Sequence, residues 1–244
     1  MEMMDKYFDI VKSQLCEIQK DEVENIDKAS DLMSETLQND GLIYVFGSGH
    51  SQMFSLEMFY RAGGLVPVNP MLQASVAMYT GTITSEYERL ENIGDKIFDK
   101  SGMTSKDTLI IVSHSGRNSM PIDLAIAAKK AGVKIITIVS KNFMEGITSR
   151  HKSGKFVKDF ADVIIDNHCM LGDATIQIDG MKSKVAGTSS ILSISILESL
   201  VAETVKKCVD NGYYPPVWVS GNVDEGDKMN RENYLKYRNR VCYL

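Results

Sequence analysis

Short apolar runs that alternate with helical stretches constrain this chain more than any other feature of its sequence. Residues 42–46 (Leu-Ile-Tyr-Val-Phe), 65–68, 108–113 (Thr-Leu-Ile-Ile-Val-Ser), 133–139 and 161–166 each read as a strand. They are nearly continuous in apolar character, as expected of strands buried on both faces. A shorter run at 174–178 suits an edge position. Between the runs lie stretches of helical character at 52–61, at 71–100 (two pieces broken near Gly81), and from Pro121 to about Ala131 with Gly132 as its cap. A long apolar helix is predicted over 188–209 and a last one near 227–237. Before the first strand, Ile10, Val11, Leu15, Ile18, Val23, Ile26, Leu32, Met33 and Leu37 recur at helical spacing, with a break near 20–24. Strands that alternate with helices imply right-handed βαβ units and a mostly parallel sheet covered on both faces.

The 244 residues, 43% apolar and 24% charged, suffice for one such domain. It is expected to span 1–244, with a core at about 39–209, a helical arm at 1–38 and an extension at 210–244. A net charge of −5 provides no basic face for nucleic acid. The basic stretch at 141–158 is interrupted by acidic and apolar residues and reads as a solvated surface. Residues Met1–Ile10 alternate charged and apolar side chains and are not expected to act as a signal peptide, and no apolar run reaches the roughly 18 residues that suggest a membrane span. Cys16, Cys169, Cys208 and Cys242 are widely spaced, read as free thiols, and point to the cytoplasm.

In open parallel sheets, ligands sit beyond the carboxyl ends of the strands. Two loops there share one chemistry: Gly47-Ser48-Gly49-His50-Ser51, and Ser113-His114-Ser115-Gly116-Arg117-Asn118-Ser119. Glycine lets the backbone approach an anion, helix starts offer unpaired N–H groups, and serines add hydroxyl donors. Together they suit a phosphate monoester. The first loop is neither a Walker A loop, lacking Gly-Lys-Ser/Thr, nor a dinucleotide fingerprint, since Gln52 stands where a third glycine belongs.

The second loop resembles the Ser-x-Ser-Gly-x-Thr signature of sugar isomerase (SIS) domains, with Asn118 at the threonine position. The first resembles that family's Gly-x-Gly-x-Ser loop. The chain is most similar to a bacterial single-SIS-domain subfamily in which Gly-Ser-Gly-His-Ser continues into Glu-Met-Phe-Tyr-Arg-Ala-Gly-Gly, here Glu57 to Gly64. The resemblance implies a three-layer αβα sandwich around a five-stranded parallel sheet, and a homodimer or dimer of dimers with sites near the interface. It also implies a sugar-phosphate ligand and no nucleotide cofactor. Carried over residue by residue, Ser48, Gly49 and Ser51 line the first loop, while Ser113, Ser115, Gly116, Asn118 and Ser119 hold the phosphate.

Aldose–ketose isomerisation needs a base for the α-proton, a ring-opening group and donors for the enediolate. Glu57 is one candidate base, with Arg61 four residues on as an anion partner; the alternative is a surface ion pair. Glu198, in the 188–209 helix, is a second base. His50 and His114, one in each loop, are candidates for ring opening. Their spacing forms no metal site, and none is expected. The 221–227 segment reads as a polar loop, or as a source of sugar contacts through Asn222 and Asp224. Three functions stay open: a phosphosugar isomerase or etherase-like lyase, a non-catalytic phosphosugar sensor acting on a protein partner, and an α/β domain binding another anion.

Overall fold

A computed structural model describes all 244 residues. In chain order the elements are α1 (Glu2–Asp21), α2 (Val23–Gln38), β1 (Ile43–Gly47), α3 (Gln52–Met58), β2 (Val68–Pro70), α4 (Thr82–Tyr87), α5 (Ile93–Ser101) and β3 (Thr108–Val112). There follow α6 (Ser119–Lys130), β4 (Lys134–Val139), α7 (Lys141–Glu145), β5 (Val163–Asp166), β6 (Ala174–Ile176), β7 (Val185–Gly187), α8 (Ser189–Asp210) and α9 (Gly226–Tyr237). The main sheet has five parallel strands in the order β2-β1-β3-β4-β5.

Alternate residues of each strand enter separate cores. Ile43, Val45, Ile110, Val112, Ile136 and Ile138 pack under α2, α3 and α8, against Met33, Phe54, Leu192 and Ile196. Tyr44, Phe46, Leu109, Ile111, Ile135 and Val139 pack under α5 and α6 and under Trp218, Tyr237 and Val241 of the C-terminal segment. The result is the αβα sandwich. The arm and the extension are part of it, since α2 supplies one layer and the last thirty residues help close the other. No helix is long and apolar enough to cross a membrane.

Several boundaries differ from expectation. The 174–178 run does not join the main sheet; β6 pairs antiparallel with β7 in a separate hairpin. The 71–100 stretch is helical only in fragments, because Gly81 (φ +61°) and Asn92 (φ +64°) interrupt it with left-handed backbone. The 52–61 helix stops at Met58, where Phe59 turns extended. Leu65 bridges Val217 instead of joining β2, so that strand begins at Val68. The break expected near 20–24 falls at Glu22. All four cysteines are unpaired.

The strand order places the site. From β1 the chain moves to β2 on one side, then returns to β3 on the other and continues outward. The reversal leaves a crevice between the carboxyl ends of β1 and β3, where Gly47 and Val112 lie side by side in register. Both serine-glycine loops leave from these two strand ends.

Candidate functional site

The 47–51 loop turns sharply because it starts on glycine: a Cβ on Gly47 would stand 2.1 Å from the Ser51 carbonyl oxygen. Gly49 (φ +58°) donates its N–H to the Val76 carbonyl at 2.7 Å, tying the loop to the segment before α4. The 113–119 loop repeats the conformation at Gly116, also φ +58°. There a Cβ would press on Val157 and Met144, at 3.2 and 3.3 Å.

The second loop leaves a row of donors without protein partners. None of the backbone N–H groups from Ser115 to Ser119 donates to a protein acceptor. Asn118 is extended (φ −81°, ψ 152°) at the N-cap of α6, so the open first turn of that helix faces the same end of the sheet. The Ser119 hydroxyl and the Arg117 Nε are buried without any partner. Buried polar groups are nearly always satisfied, so orphans at a helix start mark a place for a ligand.

Glu88, between α4 and α5, occupies the space between the two loops. Its carboxylate accepts from the Asn118 amide at 2.7 Å, and its Oε1 lies beside the first loop, 3.5 Å from where a Cβ on Gly49 would stand. Burial pushes its pKa above the ordinary carboxylate value, against the lowering influence of the nearby Ser48, Asn118, Arg89 and Arg150. The Glu88 carbonyl also accepts the N–H of Met120, at 3.0 Å, which joins it to the α6 start. Asn118 turns its amide oxygen to Arg150 Nη1 at 3.1 Å, so both ends of its side chain are engaged. What Asn118 leaves open to an anion is its backbone N–H. Arg150 is held there by its own N–H on the Arg117 carbonyl, at 2.9 Å. The buried pair His151 Nε2–Asp123 Oδ1, at 3.0 Å, fixes the adjoining turn.

The two histidines differ. His50 is exposed. His114 packs edge-on against Phe54 and its Nδ1 lies 2.7 Å from the Asn167 amide nitrogen. Asn167 Oδ1 accepts the Cys169 N–H, which orients the amide so that its nitrogen donates to His114. The imidazole is therefore the Nε2–H tautomer. Burial, the largest influence, lowers its pKa from 6.5 to about 4. His114 is thus neutral at pH 7 and presents a neutral Nε2–H donor.

Glu57, Arg61 and Glu198 come together, but on the α3–α8 face. Arg61, just past the end of α3, pairs with Glu57 four residues before it and reaches Glu198 Oε1 at 3.4 Å. All three side chains are partly exposed, and no hydrogen bond or ion pair joins them to either loop. The 221–227 segment lines a different cleft, with Tyr60, Arg61, Trp218 and Arg231.

Residues 6–140 match the SIS domain family, over more than half of the chain. The chain belongs to that family. Among SIS relatives it is 38% identical to a UPF0309 protein of Geobacillus thermodenitrificans over 243 residues, 99% of this chain and 98% of the relative. It is 39% identical to a UPF0309 protein of Thermoanaerobacter pseudethanolicus over 247 residues, 99% of this chain and all of the relative. Among solved structures, a phosphoheptose isomerase from Francisella tularensis superposes with a TM-score of 0.55 at 16% identity, covering 83% of this chain and 96% of that one. The NanR protein of Vibrio vulnificus, complexed with ManNAc-6P, gives 0.52 at 13% identity over 98% of this chain and 70% of its own. At these identities the structural likeness concerns the fold.

Within this SIS domain, sequence reasoning reached the loop residues and missed Glu88, Arg89 and Arg150. Glu88 sits in Ser-Glu-Tyr-Glu-Arg-Leu-Glu, a string that looks like solvated surface. What distinguishes it from Glu86 and Glu91 is the distant Asn118, which no local pattern reveals.

Proposed function

We propose that this SIS domain binds a sugar phosphate in the crevice between the 47–51 and 113–119 loops and isomerises it between aldose and ketose. In this reading the phosphate dianion rests on the free N–H groups of residues 115–119 and on the Ser115 and Ser119 hydroxyls. Ser113 and Ser51 border it, while Gly49 and Gly116 keep the walls free of side chains. Ser48 and Arg150 face the sugar end.

Glu88 serves as the base. Its carboxylate takes the proton from C2 of the open-chain aldose as the C1 carbonyl electrons move to oxygen, giving an enediol(ate). It then returns the proton to C1, with the O2 proton passing to O1. A carboxylate whose pKa burial has raised is better matched to proton transfer near neutral pH than an exposed one. His114 Nε2–H is a neutral donor available to the sugar oxygens. Glu57 and Glu198, paired with Arg61, are proposed to act on substrate only if a second copy of the chain brings them to the crevice. A homodimer with sites near its interface is part of the same reading.

The observation that carries this proposal is a single one: a half-buried carboxyl stands between Gly49 of one loop and the asparagine of the other, beside a row of N–H groups that have no protein acceptor. The test is proton NMR in D₂O with aldose 6-phosphates of six and seven carbons. The wild type should exchange the C2 proton for deuterium and accumulate ketose. Glu88→Gln should bind and exchange at least a hundredfold more slowly, about the lower end of the usual contribution of a general base. Binding without exchange by the wild type would replace the isomerase with a phosphosugar sensor. Exchange accompanied by loss of a C3 substituent would identify a lyase using the same base.

A further inference from the structure

The break between α1 and α2 holds a second group of chemically capable side chains, unrelated to the loop crevice. Glu22 forms the break (φ −107°, ψ 9°), and its side chain is 2% exposed. Asp166 closes β5 and is also buried, while His168 follows two residues later in left-handed backbone, φ +53°. Their ligand-capable atoms all lie within 4.8 Å of one another.

The donors present unfilled positions to the centre of this group. Glu22 Oε2 accepts from Asn25 at 2.7 Å, but Oε1 has no hydrogen bond; its neighbours are His168 Nε2 at 3.8 Å and Lys141 Nζ at 3.7 Å. His168 Nε2 is buried with no hydrogen-bond partner. Asp166 Oδ1 accepts the N–H groups of Lys141 and His168, at 3.1 and 2.9 Å, which orients the carboxylate and leaves Oδ2 without a hydrogen bond. The other ring nitrogen, His168 Nδ1, lies 4.0 Å from Glu17 Oε2. A carboxylate behind a ligating imidazole is the usual outer-shell arrangement of a metal-bound histidine. A left-handed backbone is uncommon outside glycine and is kept where surroundings demand that side-chain direction.

We infer that Glu22 Oε1, Asp166 Oδ2 and His168 Nε2 form a binding site for one divalent transition-metal ion of the zinc class. Imidazole and carboxylate bonds of about 2.0–2.2 Å place neighbouring donors about 3.4 Å apart in a tetrahedron, so small side-chain movements complete the site. The fourth position would take water. Lys141, about half exposed, is the competing cation and must swing into solvent when the metal enters. The ion would clamp the N-terminal helices to the end of β5 and to the turn carrying Asn167, which positions His114. This inference does not depend on the sugar-phosphate reading.

The test uses full-length, tag-free protein stripped of metal, with zinc content measured after equilibrium dialysis and cobalt(II) substitution followed by visible absorption. About one zinc per chain is expected, with a tetrahedral or five-coordinate cobalt spectrum. His168→Ala and Glu22→Gln should weaken zinc at least tenfold, while Lys141→Met should tighten it severalfold. Zinc content far below one per chain overturns the assignment. So does an affinity that Lys141→Met leaves unchanged, a result that holds even if removal of His168 prevents folding.

Discussion

His114 offers a clean pH signature at the scale of one residue. Folding lowers its pKa from 6.5 to about 4, so the folded chain binds fewer protons than the unfolded chain between those values. Its contribution is fully present above pH 6.5 and is lost as pH falls toward 4. From that shift the loss amounts to at most about 3 kcal/mol. Urea unfolding from pH 7.5 to 4.5 should show a steeper decline for the wild type than for His114→Gln, which has no proton to gain. Equal declines would mean that His114 is already charged or is solvated in the folded chain. Glu88 acts with the opposite sign. Its raised pKa favours the folded state at low pH, and that advantage disappears as pH rises from the ordinary carboxylate value through the raised one. The stability gained by Glu88→Gln relative to wild type should therefore be larger at pH 7 than at pH 4. Ser48, Ser115 and Ser119 were legible in the sequence because glycine-serine loops after apolar runs have a local signature. Glu88 and His168 were not, because their environments are assembled from segments about 30 or more residues apart, Asn118 for one and Glu22 for the other.

At the scale of elements, the start of α6 carries the proposed anion seat and depends on close packing against α5. Gly94 makes that possible, since a Cβ there would stand 2.2 Å from the Met120 carbonyl oxygen and 2.4 Å from the Leu124 nitrogen. Both contacts are backbone and cannot rotate away. Gly94→Ala should force α5 off α6 and cost about 2–3 kcal/mol, in the range of overpacking penalties. The midpoint of chemical denaturation checks this, and an unchanged midpoint would show that the helices are not in contact there. Strand existence was readable from apolar runs, whereas boundaries depended on tertiary partners. The 174–178 run pairs with β7 because Asp173 turns the chain before it and caps α8 through the N–H groups of Thr188 and Ser189, at 2.9 and 2.8 Å. That bond spans fifteen residues and has no local pattern. The fragmentation of 71–100 likewise follows from Asn92, whose N–H is held by Asp123 Oδ2 at 2.5 Å.

For the whole molecule, the strand order decides where chemistry can occur. Reversal of the chain between β1 and β3 opens one crevice, and the two loops, Glu88 and the α6 start converge on it. Self-association belongs to this scale as well. Exposed apolar side chains of the β6–β7 hairpin and α8, namely Ile178, Met181, Val185 and Ile191, suit burial against a second copy. Sedimentation equilibrium should give at least twice the 27.1 kDa chain mass, and a monomer at micromolar concentration would confine the site to one chain. The most direct measurement for the molecule as a whole is its melting temperature with sugar phosphates, the parent sugars and inorganic phosphate, in wild type and Ser115→Asp. A ligand at a hundredfold its dissociation constant adds about 2.7 kcal/mol, a rise of roughly 5–10 °C for a chain of this size. That rise should come with a sugar phosphate, not with the parent sugar, and should vanish when a carboxylate at position 115 occupies the anion seat. No rise with any sugar phosphate, or an equal rise in Ser115→Asp, would contradict a phosphoryl group held on the 115–119 backbone.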